Sequence, residues 1–261
     1  MGRNYDFEID TSVLMVCCSP EDGYRSVGLA ALDHVGVSSL GGVADRLSAL
    51  PAPFICLDGM SEKGVSIAIL MLDSPTTNQK TTKPDIFTTL AVRLVLDRAA
   101  TTQEAVELLR GFDMFAVSGG DYHFYVTDAS GDGRVIEYDC HSLTRDLVDT
   151  PVRTATNFYE IYRDKVLPDR HNGIYGHGKE RYDRIEEVLT ANEGRHSKEI
   201  AFEALRAAEQ LPNPEEKTSN TQWSVVYDDT ALTADIVIRR NRGDVTSCSL
   251  ADNTVTKTIN Q

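Results

Sequence analysis

Gly2-Arg3-Asn4-Tyr5-Asp6-Phe7 places a glycine, a cation, an amide and a carboxylate side by side, shortly ahead of the apolar run Val13-Leu14-Met15-Val16-Cys17. In an extended chain alternate side chains share a face. Asn4 and Asp6 are therefore expected to point one way, and Arg3 and Tyr5 the other. A bend at Gly2 or in the following loop would bring Arg3 and Asp6 round to one site. Taken alone, the six residues also fit a plain polar lead-in to a strand, so the rest of the chain has to decide.

Val13–Cys18 reads as a strand, residues 19–23 as its turn, and residues 24–32 as the returning strand. Residues 36–50 are rich in small side chains and predict a loop with a short helix. After Pro51-Ala52-Pro53 come a short apolar stretch and a turn at 58–64. Val65–Leu72 is a nearly continuous apolar run, as in a strand buried on both faces. From Pro84 the period changes, because Ile86, Leu90, Leu94 and Val95 recur at helical spacing with the proline in the first turn. Thr101 and Glu104 form a capping box for a second helix that stops at Gly111. Residues 122–127 and 134–139 flank a hairpin turn, and further helices are expected from 178 to about 189 and over 197–209. Strands follow at 221–228 and 232–239, and the polar tail beyond Arg242 is expected to fray or to add one edge strand. This order, without repeats or linkers, predicts one α+β domain over residues 1–261, with two antiparallel sheets between helical layers.

The 261 residues carry 41% hydrophobic and 25% charged side chains, ordinary for a globular chain. A formal charge of −14 argues against nucleic acid as a partner, since phosphate binding needs clustered Lys and Arg. No apolar run approaches the roughly 18–20 residues of a membrane span, and no basic amphipathic helix suggests a membrane surface. No signal peptide is evident, and a cytoplasmic location is expected. The cysteines Cys17, Cys18, Cys56, Cys140 and Cys248 form no Cys-x-x-Cys pair, so neither a zinc site nor a disulfide framework is indicated. Cys17 and Cys18 point to opposite faces of their strand and read as buried structural thiols rather than a nucleophile. The turn at 128–133 lacks the terminal glutamate of an EF-hand loop. Asp169, His171 and His177 lie in a polar loop whose spacing fits no helical metal motif, so it reads as a solvated or pocket-rim loop. No metal or cofactor is expected.

Five segments resemble the linear amide C–N hydrolase family, the N-terminal-nucleophile enzymes that include choloylglycine hydrolases, penicillin V acylases and isopenicillin N acyltransferase-like proteins. They are GRNYDF at 2–7, PFICLDGMSEKGVSIAILML at 53–72, YHFYVTDASGDGRVIEYD at 122–139, Ala155-Thr156-Asn157-Phe158, and Thr221-Gln222-Trp223-Ser224-Val225-Val226-Tyr227. Each alone is unspecific; their shared order is not. The resemblance implies a four-layer αββα sandwich and cleavage or transfer at the amide bond of a small acylated amine. It also implies a nucleophilic cysteine, exposed by processing, on a strand that precedes GRNYDF. Since GRNYDF follows Met1 directly, that strand is expected upstream of it.

The same resemblance assigns roles. Arg3 would stabilise the thiolate, Asp6 would hold the nucleophile's α-amine, Asn157 would donate to the amine or the oxyanion, and Arg181 would complete the charge network. Arg3, Asp6 and Asn157 are thus expected to converge on one pocket. Bile salt hydrolases carry an oxyanion asparagine where this chain has Met71, whose thioether cannot donate. Either a backbone N–H serves there instead, or Met71 and Leu72 line an acyl pocket, and narrow bile-salt specificity is not expected. The sequence leaves the oligomeric state open, and a homo-oligomer has the family's tetramers as its precedent. The alternative is a non-catalytic homologue that binds acylated small molecules in the same pocket.

Overall fold

The computed structural model describes residues 1–116, 119–168, 173–212 and 220–259. β1 (Gly2–Phe7) is followed by a hairpin of β2 (Val13–Cys18) and β3 (Ser26–Ala31), and a six-residue helix, α1 (Val43–Ser48), sits in the next loop. β4 (Asp58–Ser61) and β5 (Val65–Leu72) then meet across a turn at Gly64. This glycine has φ +71°, and a Cβ there would lie 2.2 Å from the carbonyl oxygen of Asp229. Only glycine fits both the left-handed backbone and that approach.

Residues just after Pro84 form a short strand, β6 (Asp85–Phe87), so α2 (Thr88–Arg98) begins later than the helical spacing suggests. α3 (Thr102–Arg110) is capped by Thr101, whose hydroxyl accepts from the Glu104 N–H at 3.1 Å. The Glu104 carboxylate accepts from Ala100 N–H rather than from Thr101, so the expected capping box is displaced by one residue. β7 (Asp113–Phe115) pairs in parallel with β6, and this ladder takes the residues that periodicity assigned to the helix. β8 (Asp121–Asp128), β9 (Gly133–Tyr138) and β10 (Leu147–Pro151) continue the chain, followed by α4 (Lys179–Ala191) and α5 (Lys198–Ala207). Ser197 caps α5 by accepting from Ile200 N–H. The last strands are β11 (Asn220–Asp228), β12 (Thr233–Ile238), β13 (Asp244–Ser249) and β14 (Thr254–Ile259). The tail thus supplies two strands where one or none was expected, and Cys248 and Leu250 are buried in the core.

Two antiparallel sheets result, one ordered β1-β11-β12-β13-β14 and the other β10-β9-β8-β5-β4-β3-β2. α2 and α3 cover the seven-stranded sheet, while α5 lies on β1 and β11 with α4 alongside. This is a four-layer αββα sandwich. Among the described residues no helix is long and apolar enough to cross a membrane. β2 is the last strand of its sheet, so Cys17 is exposed and Cys18 half-buried. The expectation of two buried thiols is corrected, because an edge strand lacks the second neighbour that would cover them.

The two sheets are joined by one apolar cluster in which Trp223 is fully buried and stacks on Tyr5, ring centroids 4.0 Å apart. Stacked aromatic pairs contribute beyond their buried area. Trp223→Ala is expected to destabilise the fold by about 3–5 kcal/mol, read as a shift in the urea unfolding midpoint. A loss below about 1 kcal/mol would show that Trp223 does not anchor this cluster.

Candidate active site

β4 and β5 stop pairing before β5 ends. The last register pair is Asp58 with Ala68, whereas β5 runs on to Leu72. Ile69 donates its N–H to the Leu57 carbonyl at 2.9 Å, so residues 69 and 71 turn their peptide groups away from β8. Their carbonyls need donors that no strand supplies. Arg3 Nη1 donates to the Ile69 carbonyl at 2.9 Å and to the Leu57 carbonyl at 3.1 Å. Asn157 Nδ2 donates to the Met71 carbonyl at 2.9 Å. One overrunning strand end thereby gathers Arg3 and Asn157, which are far apart in sequence.

Arg3 reaches that place because it shares a face of β1 with Tyr5, toward the other sheet. Its Nε lies 3.1 Å from Asp58 Oδ2, an ion pair without the alignment of a linear hydrogen bond. The Tyr227 hydroxyl donates to the other Asp58 oxygen at 2.5 Å, and the Trp223 indole N–H faces the same carboxylate. Asp58 is completely buried; burial pushes its carboxyl up from the ordinary range while Arg3 opposes the shift. Removing either partner would strand the other as a buried charge.

Asn4 and Asp6 face the opposite way, toward α5 and the chain beyond it. Asn4 donates to the Leu205 carbonyl, and Asp6 accepts from Gln210 Nε2 at 2.8 Å and from the Thr221 hydroxyl at 2.6 Å. A register shift between Tyr5 and Asp6 turns the carboxylate toward Arg181, whose Nη1 lies 3.8 Å away. Arg181 Nη2 also donates to Asn157 Oδ1 at 3.0 Å. Asp6, Arg181 and Asn157 therefore form one chain of contacts, and Arg3 meets it only through β5, from the other face of β1.

Two glycines shape this arrangement. Gly176 has φ +96°, and a Cβ there would lie 2.1 Å from the Asn157 carbonyl oxygen. Gly178 has φ +88°, and a Cβ would lie 2.4 Å from Arg181 Nη2. Between them His177 donates its backbone N–H to the Asn157 carbonyl at 2.8 Å, and its Nδ1 lies 2.7 Å from Asp73 Oδ2. A half-buried His–Asp pair thus borders Asn157. Asp169 and His171, weighed with His177 in the sequence, lie outside the described residues.

Of the two expected acyl-pocket residues, Met71 is 46% exposed and lies over Gly120, whereas Leu72 is fully buried. Successive side chains on β5 face opposite ways, so Leu72 offers no surface to a ligand and that expectation is corrected. Among the described residues no cysteine hydrogen-bonds to Arg3, Asp6, Asn157 or Arg181. Cys56 lies near Asp58 in sequence, but its buried thiol donates to the Ala52 carbonyl and is pushed up to about 12. Sequence reasoning missed Asp58, Tyr227, Gln210 and the two glycines as parts of the site. The buried Asp-Gly at 58–59 and the Gly-x-Gly at 176–178 were the available signals.

A family model described as acyl-coenzyme A:6-aminopenicillanic acid acyl-transferase matches residues 1–243. No curated protein matches the sequence. Among solved structures, penicillin V acylase from Agrobacterium tumefaciens superposes with a TM-score of 0.66 at 18% identity, over 98% of this chain and 86% of that one. A mutant of the conjugated bile acid hydrolase from Clostridium perfringens gives 0.66 at 14% identity, over 100% of this chain and 92% of that one. These likenesses show the fold.

Gly178→Ala should strain the backbone and push the Arg181 guanidinium off Asn157. Gly131→Ala is the control, since Gly131 has φ +87° with nothing within 4 Å of a Cβ. Both should lose about 1–2 kcal/mol for the left-handed alanine, with a further loss at Gly178 in urea unfolding. Equal losses would mean that the guanidinium does not depend on the glycine.

Proposed function

The chain belongs to the family described as acyl-coenzyme A:6-aminopenicillanic acid acyl-transferase, and from that premise we propose that it cleaves or transfers the acyl group of small linear amides through a thiol nucleophile. The observation that carries this reading is Arg181 spanning Asp6 and Asn157, beside the overrunning end of β5. An N-terminal cysteine on a strand alongside β1 would meet this set. Its α-amine, which ordinarily titrates near pH 8, serves as the base for its own thiol. Asp6 accepts from that amine and keeps it aimed at the sulfur. The Arg3 guanidinium, fixed by two carbonyls and Asp58, favours the thiolate.

Asn157 has two amide hydrogens, and the Met71 carbonyl takes one. The other serves the oxyanion that forms when sulfur attacks the amide carbonyl. Arg181, by donating to Asn157 Oδ1, polarises the amide and locks its orientation. Collapse of the tetrahedral adduct breaks the C–N bond and leaves an acyl thioester, which water or a second amine resolves. His177, backed by Asp73, borders the place where the departing amine would sit. Met71, exposed beside Asn157, provides apolar surface for the acyl group.

The protein is expressed from the whole open reading frame that contains this sequence and is assayed with penicillin V and with a conjugated bile acid. Amine release should accompany a trapped acyl adduct on an N-terminal cysteine. Asn157→Ala should lower kcat by about 10²–10³ with little change in KM. Saturable binding without turnover by that protein would instead favour a non-catalytic binder of acyl amides.

A further inference from the structure

A cavity of about 40 Å³ lies where β2 of the seven-stranded sheet meets β13 of the five-stranded sheet. Cys17, Cys18, Arg25 and Cys248 line it. The two outer thiols differ in access: Cys17 is exposed on its edge strand, while Cys248 is 3% exposed and belongs to the core cluster. They face each other across the same small cavity, Cys17 from β2 and Cys248 from β13. The neighbouring Cys248 thiol lowers the Cys17 thiol below its ordinary value, and Cys248 is raised in turn. Cys18, one residue on, instead senses Arg93 and Asp97 of α2, and burial raises it. An exposed thiol on an edge strand beside a covered thiol on another element is an attacking group and a resolving group placed together.

We propose that Cys17 and Cys248 form a thiol–disulfide exchange site that takes low-molecular-weight disulfides, with Cys17 attacking and Cys248 resolving. The Cys17 thiolate attacks one sulfur of the small disulfide, and the S–S bond breaks to release one small thiolate. Cys248 then gives its proton to solvent and attacks the Cys17 sulfur, and the mixed disulfide breaks to release the second small thiolate. Two protein thiols are oxidised and one small disulfide is reduced to two thiols. Exposure dictates the order, because the small disulfide reaches Cys17 and not Cys248. The product bond ties the edge of one sheet to the other across most of the chain, a long loop that constrains the unfolded state strongly. None of this depends on the amide-cleaving reading, since the cavity holds no residue of that network.

The test uses the reduced protein with oxidised glutathione at neutral pH, acid quenching, and peptide mapping by mass spectrometry over time. One glutathionyl group should appear first on Cys17, roughly tenfold faster than on Cys18 or Cys140. It should then give way to a Cys17–Cys248 cross-link, with two glutathiones released per protein and a higher Tm. Cys248→Ser, or Cys248→Ala if the serine variant folds poorly, should stop at the mixed disulfide, and Cys17→Ser should form no cross-link. The wild-type time course decides the matter even without the variants. A mixed disulfide on Cys17 that persists in the wild type, or glutathionyl groups spread evenly over Cys17, Cys18 and Cys140, would overturn the proposal.

Discussion

A sheet that ends unevenly creates the site. β5 continues past its partner β4, and the carbonyls of Ile69 and Met71 are left pointing away from β8 with no ladder donor. The part-buried Ile69 carbonyl and the more open Met71 carbonyl take their donors from side chains in place of the missing strand. Arg3 and Asn157 supply them from two sides. Their positions answer to the open end of β5.

Fixing Arg3 requires more than two carbonyls. A guanidinium between two sheets needs a counter-charge, and Asp58, held by Tyr227, provides one. Asp6 is fixed separately on the opposite face, by Gln210 and Thr221. Arg181 closes the gap between Asp6 and Asn157, and the left-handed Gly178 gives its guanidinium the room to do so. Each charged group is thus positioned by neutral donors and acceptors before it meets another charge.

Much of this was legible in the sequence. Val13–Cys18 and Val65–Leu72 are strands with the boundaries that their apolar runs suggest, and the alternation along GRNYDF sends Arg3 and Asp6 to opposite faces. What local patterns could not show came from tertiary pairing. Residues 85–87 became a strand because β7 lay beside them, and the polar tail became two strands because β12 offered an edge. Asp58 looked like a turn residue until Arg3 arrived from the other sheet. Leu72 looked like a pocket wall because a sequence does not say which face of a strand the cleft opens on.

The central claim is that Arg181 and Asn157 act as one unit. A double-mutant cycle on urea unfolding, with Arg181→Ala, Asn157→Ala and the double variant, tests it most directly. A coupling of about 0.5–3 kcal/mol is expected for contacting residues in one hydrogen-bonded network. Additivity within about 0.3 kcal/mol would contradict the account, because the two side chains would then be neighbours without dependence.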